Sequence, residues 1–238
     1  MNFETDKFSG ISEKLKDFYQ IQELDTVCCR QCGCCRVACP QMKYSEAVNI
    51  MNRVFSEWSR EDRKELLKTS IRYFFSRSLI KPCPMLRGNE CRIYEDRPLN
   101  CRLYGLWPQE AWERRVERIS ERLGLEKEKI PLNTQCPFVK LKNGDPLTEE
   151  QIDGMFATLD KFDHWLLSQG DSNKFEEWSS RIEKNWNYRT FHDWILLHFW
   201  GEERLMNMTA IATTATEEQL KLFLEVVDEQ ASLLIDQT

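Results

Sequence analysis

Six of this chain's ten cysteines fall within the twelve residues from Cys28 to Cys39, inside the stretch TVCCRQCGCCRVACPQM. Nothing else constrains the fold as strongly, because spacers of two or three residues turn successive thiols toward a common point. The chain does not need them as staples. About 41% of its 238 residues are apolar, enough for a hydrophobic core. The N-terminus, MNFETDKFSG, has no basic n-region and no apolar h-region, so no signal peptide is visible. The longest strongly apolar run, 194–200, is far short of the roughly 20 residues of a membrane span. A cytoplasmic address without a membrane span is the expectation. In a reducing compartment, clustered thiols serve as metal ligands or redox groups rather than disulfides.

Read from Cys29, the spacing is C-x2-C-x2-C-x3-C-P through Cys32, Cys35, Cys39 and Pro40, the run of bacterial ferredoxins. Short spacers let a backbone loop wrap a cubane, and Gly33 lets the chain approach it closely. In two-cluster ferredoxins the fourth cysteine of such a run binds the other cluster, so Cys39 need not join Cys29, Cys32 and Cys35. Read from Cys28 through Cys32 and Cys35, the spacing resembles the radical S-adenosylmethionine signature. That family places an aromatic residue before the last cysteine, where this chain has Cys34, and it needs a succession of β/α units that the sequence lacks.

A third register reaches further along the chain. Cys29-Arg-Gln-Cys32-Gly33-Cys34-Cys35 is followed by PCPMLRGNECRIYEDRPLNCRLYGLWP (82–108) and QCPFV (135–139). Together these resemble the YkgJ-like cysteine-cluster family, named for a CxxCxxCC motif and regarded as zinc- or iron-chelating. The second segment carries the resemblance at Pro82, Cys83, Pro84, Cys91, Ile93, Tyr94, Glu95, Arg97, Pro98, Cys101, Arg102 and Tyr104. It covers roughly residues 28–140. The first segment departs from the family pattern, with Gly33 alone where two residues separate the second cysteine from the CC pair. The resemblance implies a metal centre without choosing the metal, since relatives that include flagellin lysine methylases carry an iron–sulfur cluster.

Chemistry narrows the choice. A structural zinc needs four ligands, and the long Pro-rich segment Lys81–Pro108 would benefit from such a staple. The chain offers ten cysteines, however, and three Cys-Pro pairs. These favour a [4Fe–4S] centre, with zinc as the alternative. Leaving out Cys28 and Cys34, the expected ligands are Cys29, Cys32, Cys35, Cys39, Cys83, Cys91, Cys101 and Cys136, enough for two cubanes. Arg30, Arg36, Arg87, Arg92, Arg97 and Arg102 lie within a few residues of cysteines. Arg36, Arg97 and Arg102 are the expected cofactor-binding cations, since guanidinium donors stabilise an anionic thiolate centre. Arg97 and Arg102 could also order the loop through Glu95 or Asp96.

The expected fold is mainly α, with an irregular cysteine-rich metal-binding domain containing helices over 1–144 and an acidic all-α region over 145–238. The turn Lys142-Asn-Gly-Asp-Pro146 is the boundary. Helices are expected over Phe8–Leu24, Ser45–Trp58 (capped by Ser45), Arg60–Ile80 and Glu110–Leu123 (ended by Gly124). Capping boxes at Thr148 and Thr216 open further helices, to about Gln169 and Leu234. Asn173–Asn185 and Thr190–Asn207 complete the set, and a short hairpin is expected near Cys91–Tyr94. Charge divides at the same boundary. Residues 145–238 have a net charge of −12 and residues 1–144 a net charge of +6. The basic residues are dispersed among acids, which argues against nucleic acid. Trp165, Trp178, Trp186, Trp194 and Trp200 read as core anchors. His192 and His198, six residues apart, fall about 120° apart around a helix and do not share a face.

Three functions fit: electron transfer or redox support of a partner enzyme, a cluster-dependent enzyme such as a protein methyltransferase, and a zinc-stapled binding module. No carboxylate pair spaced for acid–base work and no nucleophile elbow is present.

Overall fold

A computed structural model of the protein describes residues 10–21, 26–27, 40–76, 83–130, 136, 139–141, 147–169 and 188–236. Helix α1 spans Ile11–Ile21 and buries Ile11, Leu15, Phe18 and Tyr19, one stripe of an amphipathic helix. Strand β1 (Thr26–Val27) follows, then β2 (Gln41–Lys43) and α2 (Tyr44–Glu57). The next helix, α3, is Arg60–Phe75, with the Ser59 hydroxyl accepting from the Asp62 N–H at its start. It buries Leu66, Leu67, Ile71 and Phe75. Strands β3 (Leu86–Arg87) and β4 (Glu90–Cys91) form a hairpin turned at Gly88, whose φ of 63° suits glycine. Then come α4 (Leu99–Arg102), α5 (Gln109–Leu123) and β5 (Lys140–Leu141). Gly124 ends α5 in the left-handed region, as its sequence position implies.

Beyond residue 144, α6 is Glu149–Ser168, opened by the expected capping box at Thr148. Strand β6 (Tyr188–Thr190) leads into α7 (Phe191–Thr214). Gly201, at φ 73° and ψ 170°, breaks the helical geometry inside α7. The Thr216 capping box opens α8 (Glu217–Glu225), and α9 (Val227–Asp236) follows a break at Val226 that the hydrophobic pattern does not signal. The chain is thus mainly α, with three two-stranded antiparallel pairings among the described residues: β1 with β5, β2 with β6, and β3 with β4. The helix expected at 173–185, together with Trp178 and Trp186, lies outside the described residues. No helix among the described residues is long and apolar enough to cross a membrane.

The segments on either side of residue 144 share one core. Phe191, Trp194 and Leu196 from α7 are buried together with Met42, Ile50, Met51, Leu67 and Ile71 from the cysteine-rich half. The Trp194 indole N–H donates to the Met42 carbonyl at 3.2 Å, and its ring lies 5.5 Å from that of Tyr44. Each such apolar side chain contributes about 1.5–3 kcal/mol on burial.

The start of α2 corrects the expected Ser45 cap. The helix begins at Tyr44, with Lys43 at the cap position, two residues before Ser45. The fully buried carboxylate of Asp163 in α6 accepts from the Tyr44 N–H at 3.1 Å and the Ser45 N–H at 2.7 Å. A carboxylate on exposed helix-terminal N–H groups satisfies both hydrogen bonds and dipole. Lys43 in turn reaches Asp160 at 2.6 Å.

Candidate metal centre

The cysteine arm is anchored at both ends. The chain enters it at Val27, paired with Lys140, and Lys140 lies four residues beyond Cys136. It leaves at Gln41, whose carbonyl accepts from the Asn100 side-chain amide at 2.6 Å, and Asn100 adjoins Cys101. One end of the arm is therefore tied to the segment carrying Cys136 and the other to the helix carrying Cys101. Cys29, Cys32, Cys35, Cys39 and Arg36, with Cys28 and Cys34, lie outside the described residues.

The remaining expected ligands lie within the described residues. Cys83, Cys91 and Cys101 are half-buried and Cys136 is buried. Cys83 lies just before the hairpin and Cys91 lies in its second strand. The Cys83 carbonyl accepts from the Leu86 N–H at 3.2 Å, and Leu86 is paired with Cys91. Cys136 owes its position to Gly105, whose φ is 96°. A Cβ on Gly105 would lie 2.5 Å from the Cys136 carbonyl oxygen and 3.4 Å from its Cβ, so only glycine lets the two backbones approach. Among the described residues, no three Cys, His, Asp or Glu side chains gather into a group that could hold a metal ion.

The segment from Cys83 to Pro108 is irregular, yet it is firmly held by ion pairs and hydrogen bonds to helices. Arg92 makes two bonds to the Asp62 carboxylate, at 3.1 and 2.9 Å, with its guanidinium 3.5 Å above the Trp58 ring. The Arg92 hydrogen bonds hold the Asp62 carboxyl below its usual range. Asp96 accepts from Arg53 and, at 3.3 Å, from Asn49. Arg97, only 8% exposed, donates to the Tyr94 carbonyl at 2.9 Å and stacks on the Tyr94 ring. Arg102 donates to the carbonyls of Arg97 and Glu95 and lies 4.0 Å over the Tyr19 ring. The two arginines order the turn through backbone carbonyls, while the Asp96 carboxylate takes Arg53. Burial lowers the Arg102 pKa, but guanidinium stays charged at any physiological pH. Positive charge is therefore fixed beside Cys101.

Beneath this turn lies buried Glu46. Its carboxylate accepts from the Tyr19 hydroxyl and the Leu99 N–H, each at 2.5 Å, and from the Lys43 N–H at 2.9 Å. Burial raises the Glu46 pKa even against these donors. Glu46 thus joins α1, the start of α2 and the start of α4 in one buried contact. No sequence signal distinguishes it from the other glutamates.

The tail histidines play other parts. His192 is buried 3.3 Å from the Ser70 hydroxyl and packs against the Tyr73 ring. His198 packs against Phe55 and Phe199, and burial brings its pKa down to about 4. A cleft of about 580 Å³ opens between α3 and the hairpin, lined in part by Trp58, Asp62, Tyr73, Cys83, Arg87 and Arg92. Its walls come from two separate segments, Trp58–Tyr73 and Cys83–Arg92, which is why no local pattern announces it.

Residues 28–137 match the family model described as "CxxCxxCC: Putative zinc- or iron-chelating domain". The match agrees with the family resemblance carried by the cysteine motifs. Neither the curated proteins nor the solved structures give a match to the chain. The matched span contains the cysteine arm, the Gly88 hairpin, the arginine-ordered turn and Cys136. Metal chelation is the chemistry its description names, and thiolates are ligands suited to either zinc or iron.

Proposed function

We propose that the CxxCxxCC domain holds one or two [4Fe–4S] clusters, and that the protein serves a partner enzyme in the cytoplasm by electron transfer or redox support. The observation that carries this reading is the C-x2-C-x2-C-x3-C-P run from Cys29 to Pro40, combined with four further thiols at Cys83, Cys91, Cys101 and Cys136. The donor set fits an all-thiolate centre, with His192 and His198 engaged in the core of the tail. When bound, the cluster supplies a one-electron couple. The arm's tie to the Cys136 segment favours Cys29, Cys32 and Cys35 sharing a centre with Cys136. Its tie to α4 favours Cys39 acting with Cys101, alongside Cys83 and Cys91.

The chain's own residues supply the surroundings. Arg97 and Arg102 provide positive charge beside Cys101, and Tyr19 and Tyr94 cover their guanidinium faces. The hold on residues 83–108 by Glu46, Arg53 and Asp62 also weighs against a zinc staple, which would duplicate contacts already made.

One observation favours a second reading, a cluster-dependent enzyme such as a protein methyltransferase. The cleft beside Cys83 gives a small molecule room next to a candidate ligand. Binding of S-adenosylmethionine to the metal-loaded protein separates this reading from the first.

The deciding experiment is anaerobic purification with iron, sulfide and zinc analysis. The expected result is a brown, oxygen-bleached protein absorbing near 400 nm, with about four or about eight irons and matching sulfide per chain. A colourless protein holding zinc without sulfide refutes the iron–sulfur reading.

A further inference from the structure

Trp112 is 4% exposed, and its indole N–H has no hydrogen-bond acceptor among the described residues. Indole Nε1–H can only donate, and a buried donor without an acceptor calls for an explanation. The side chain lies on α5 in a small second core with Val116 and Ile130, where Ile119 and Leu125 pack against it. These aliphatic neighbours offer no side-chain acceptor. The ring meets that of Tyr104 edge-on, with centroids 6.0 Å apart. Tyr104 adjoins Gly105, the residue that lies against Cys136. The Trp112 ring and Cys136 therefore both pack against one turn, Tyr104–Gly105.

We propose that the Trp112 indole N–H donates a hydrogen bond to a sulfur of the metal centre that Cys136 helps to hold. This rests on the iron–sulfur reading. A metal-bound thiolate or sulfide is an anionic acceptor that can enter a water-poor site together with its metal. It meets the donor without adding a polar side chain to an apolar pocket. Hydrogen bonds to cluster sulfurs stabilise the more negative, reduced form and raise the reduction potential. Trp112 is then a tuning residue rather than a ligand.

Trp112→Phe keeps an aromatic ring and removes the N–H. Full-length parent and variant, purified anaerobically with iron and sulfide counted, are compared by spectroelectrochemical titration. The expected result is equal iron content and a more negative midpoint in the variant. An unchanged or more positive midpoint at equal iron content overturns the proposal while leaving the iron–sulfur reading intact. If the variant loses iron, the parent decides by NMR with ¹⁵N-indole tryptophan. A hyperfine-shifted, temperature-dependent Nε1–H signal, assigned to Trp112 in the parent by its proximity to Tyr104 and Ile130, supports the proposal. A full set of tryptophan indole signals at ordinary diamagnetic positions overturns it. A parent that contains zinc and no sulfide overturns the iron–sulfur reading itself, and the metal count reports that failure separately.

Discussion

Glu46 offers the sharpest test of how the cysteine-bearing turn is held. Three donors converge on its carboxylate: the Tyr19 hydroxyl, the Leu99 N–H and the Lys43 N–H. Burial raises its pKa, so removing the charge recovers some desolvation cost. The dominant loss on substitution is therefore the orphaned donors, at about 1–3 kcal/mol each. Glu46→Gln keeps one oxygen for Tyr19 and Leu99 but turns an amide NH₂ toward the Lys43 N–H. It should cost about 2 kcal/mol. Glu46→Ala orphans all three donors and leaves a cavity, for about 3–6 kcal/mol. Tyr19→Phe removes one donor and leaves two, for about 1 kcal/mol. Against a total stability of roughly 5–15 kcal/mol these are separable steps. Urea unfolding of the anaerobically purified variants, at matched metal content, reads them as shifts in midpoint at constant slope. Amide exchange adds a local readout: Glu46→Ala should speed exchange at Leu99–Leu103, the helix carrying Cys101, more than within α8. Glu46→Ala within about 0.5 kcal/mol of the parent, or less damaging than Tyr19→Phe, would refute the reasoning.

Gly105→Ala places a methyl group 2.5 Å from the Cys136 carbonyl at a φ of 96°. It should lower stability by about 2–4 kcal/mol and reduce bound metal per chain, read by denaturation and metal analysis. Asp163→Asn turns an amide toward one of the two N–H groups that start α2. A loss of about 1–3 kcal/mol in urea unfolding is expected, and a neutral result would contradict the assigned cap. His198, with its pKa at about 4, refuses a proton that the unfolded chain accepts below about pH 6.5. Its contribution is complete above pH 6.5 and is lost as the pH falls toward 4, by at most about 3 kcal/mol. His198→Phe should make stability fall less steeply than in the parent across that window, and parallel curves would show that His198 titrates normally.

Where the sequence announced structure, the signal was local. The Thr148 and Thr216 boxes and Gly124 each act within about one turn, and all three stand where expected. The start of α2 escaped because its cap, Asp163, is 118 residues away from Ser45, and a remote carboxylate leaves no trace beside the helix it caps. The same holds for the segment from Cys83 to Pro108. Its prolines and glycines marked it as irregular, but its partners Tyr19, Glu46, Arg53 and Asp62 lie 30 or more residues before the groups they hold. The candidate ligands were legible because thiols at fixed spacing are rare and chemically committed. The unmatched Trp112 N–H was not, since in sequence Trp112 is one more apolar residue on an amphipathic helix. These differences point to a division of labour within the domain. The downstream thiols ride on a frame fixed by buried carboxylates, stacked arginines and one obligatory glycine, none of which is a metal ligand in this scheme. That frame presents Cys83, Cys91, Cys101 and Cys136 from positions set by packing. On the proposed iron–sulfur reading, the dense arm between Val27 and Gln41 has only to supply the remaining thiols.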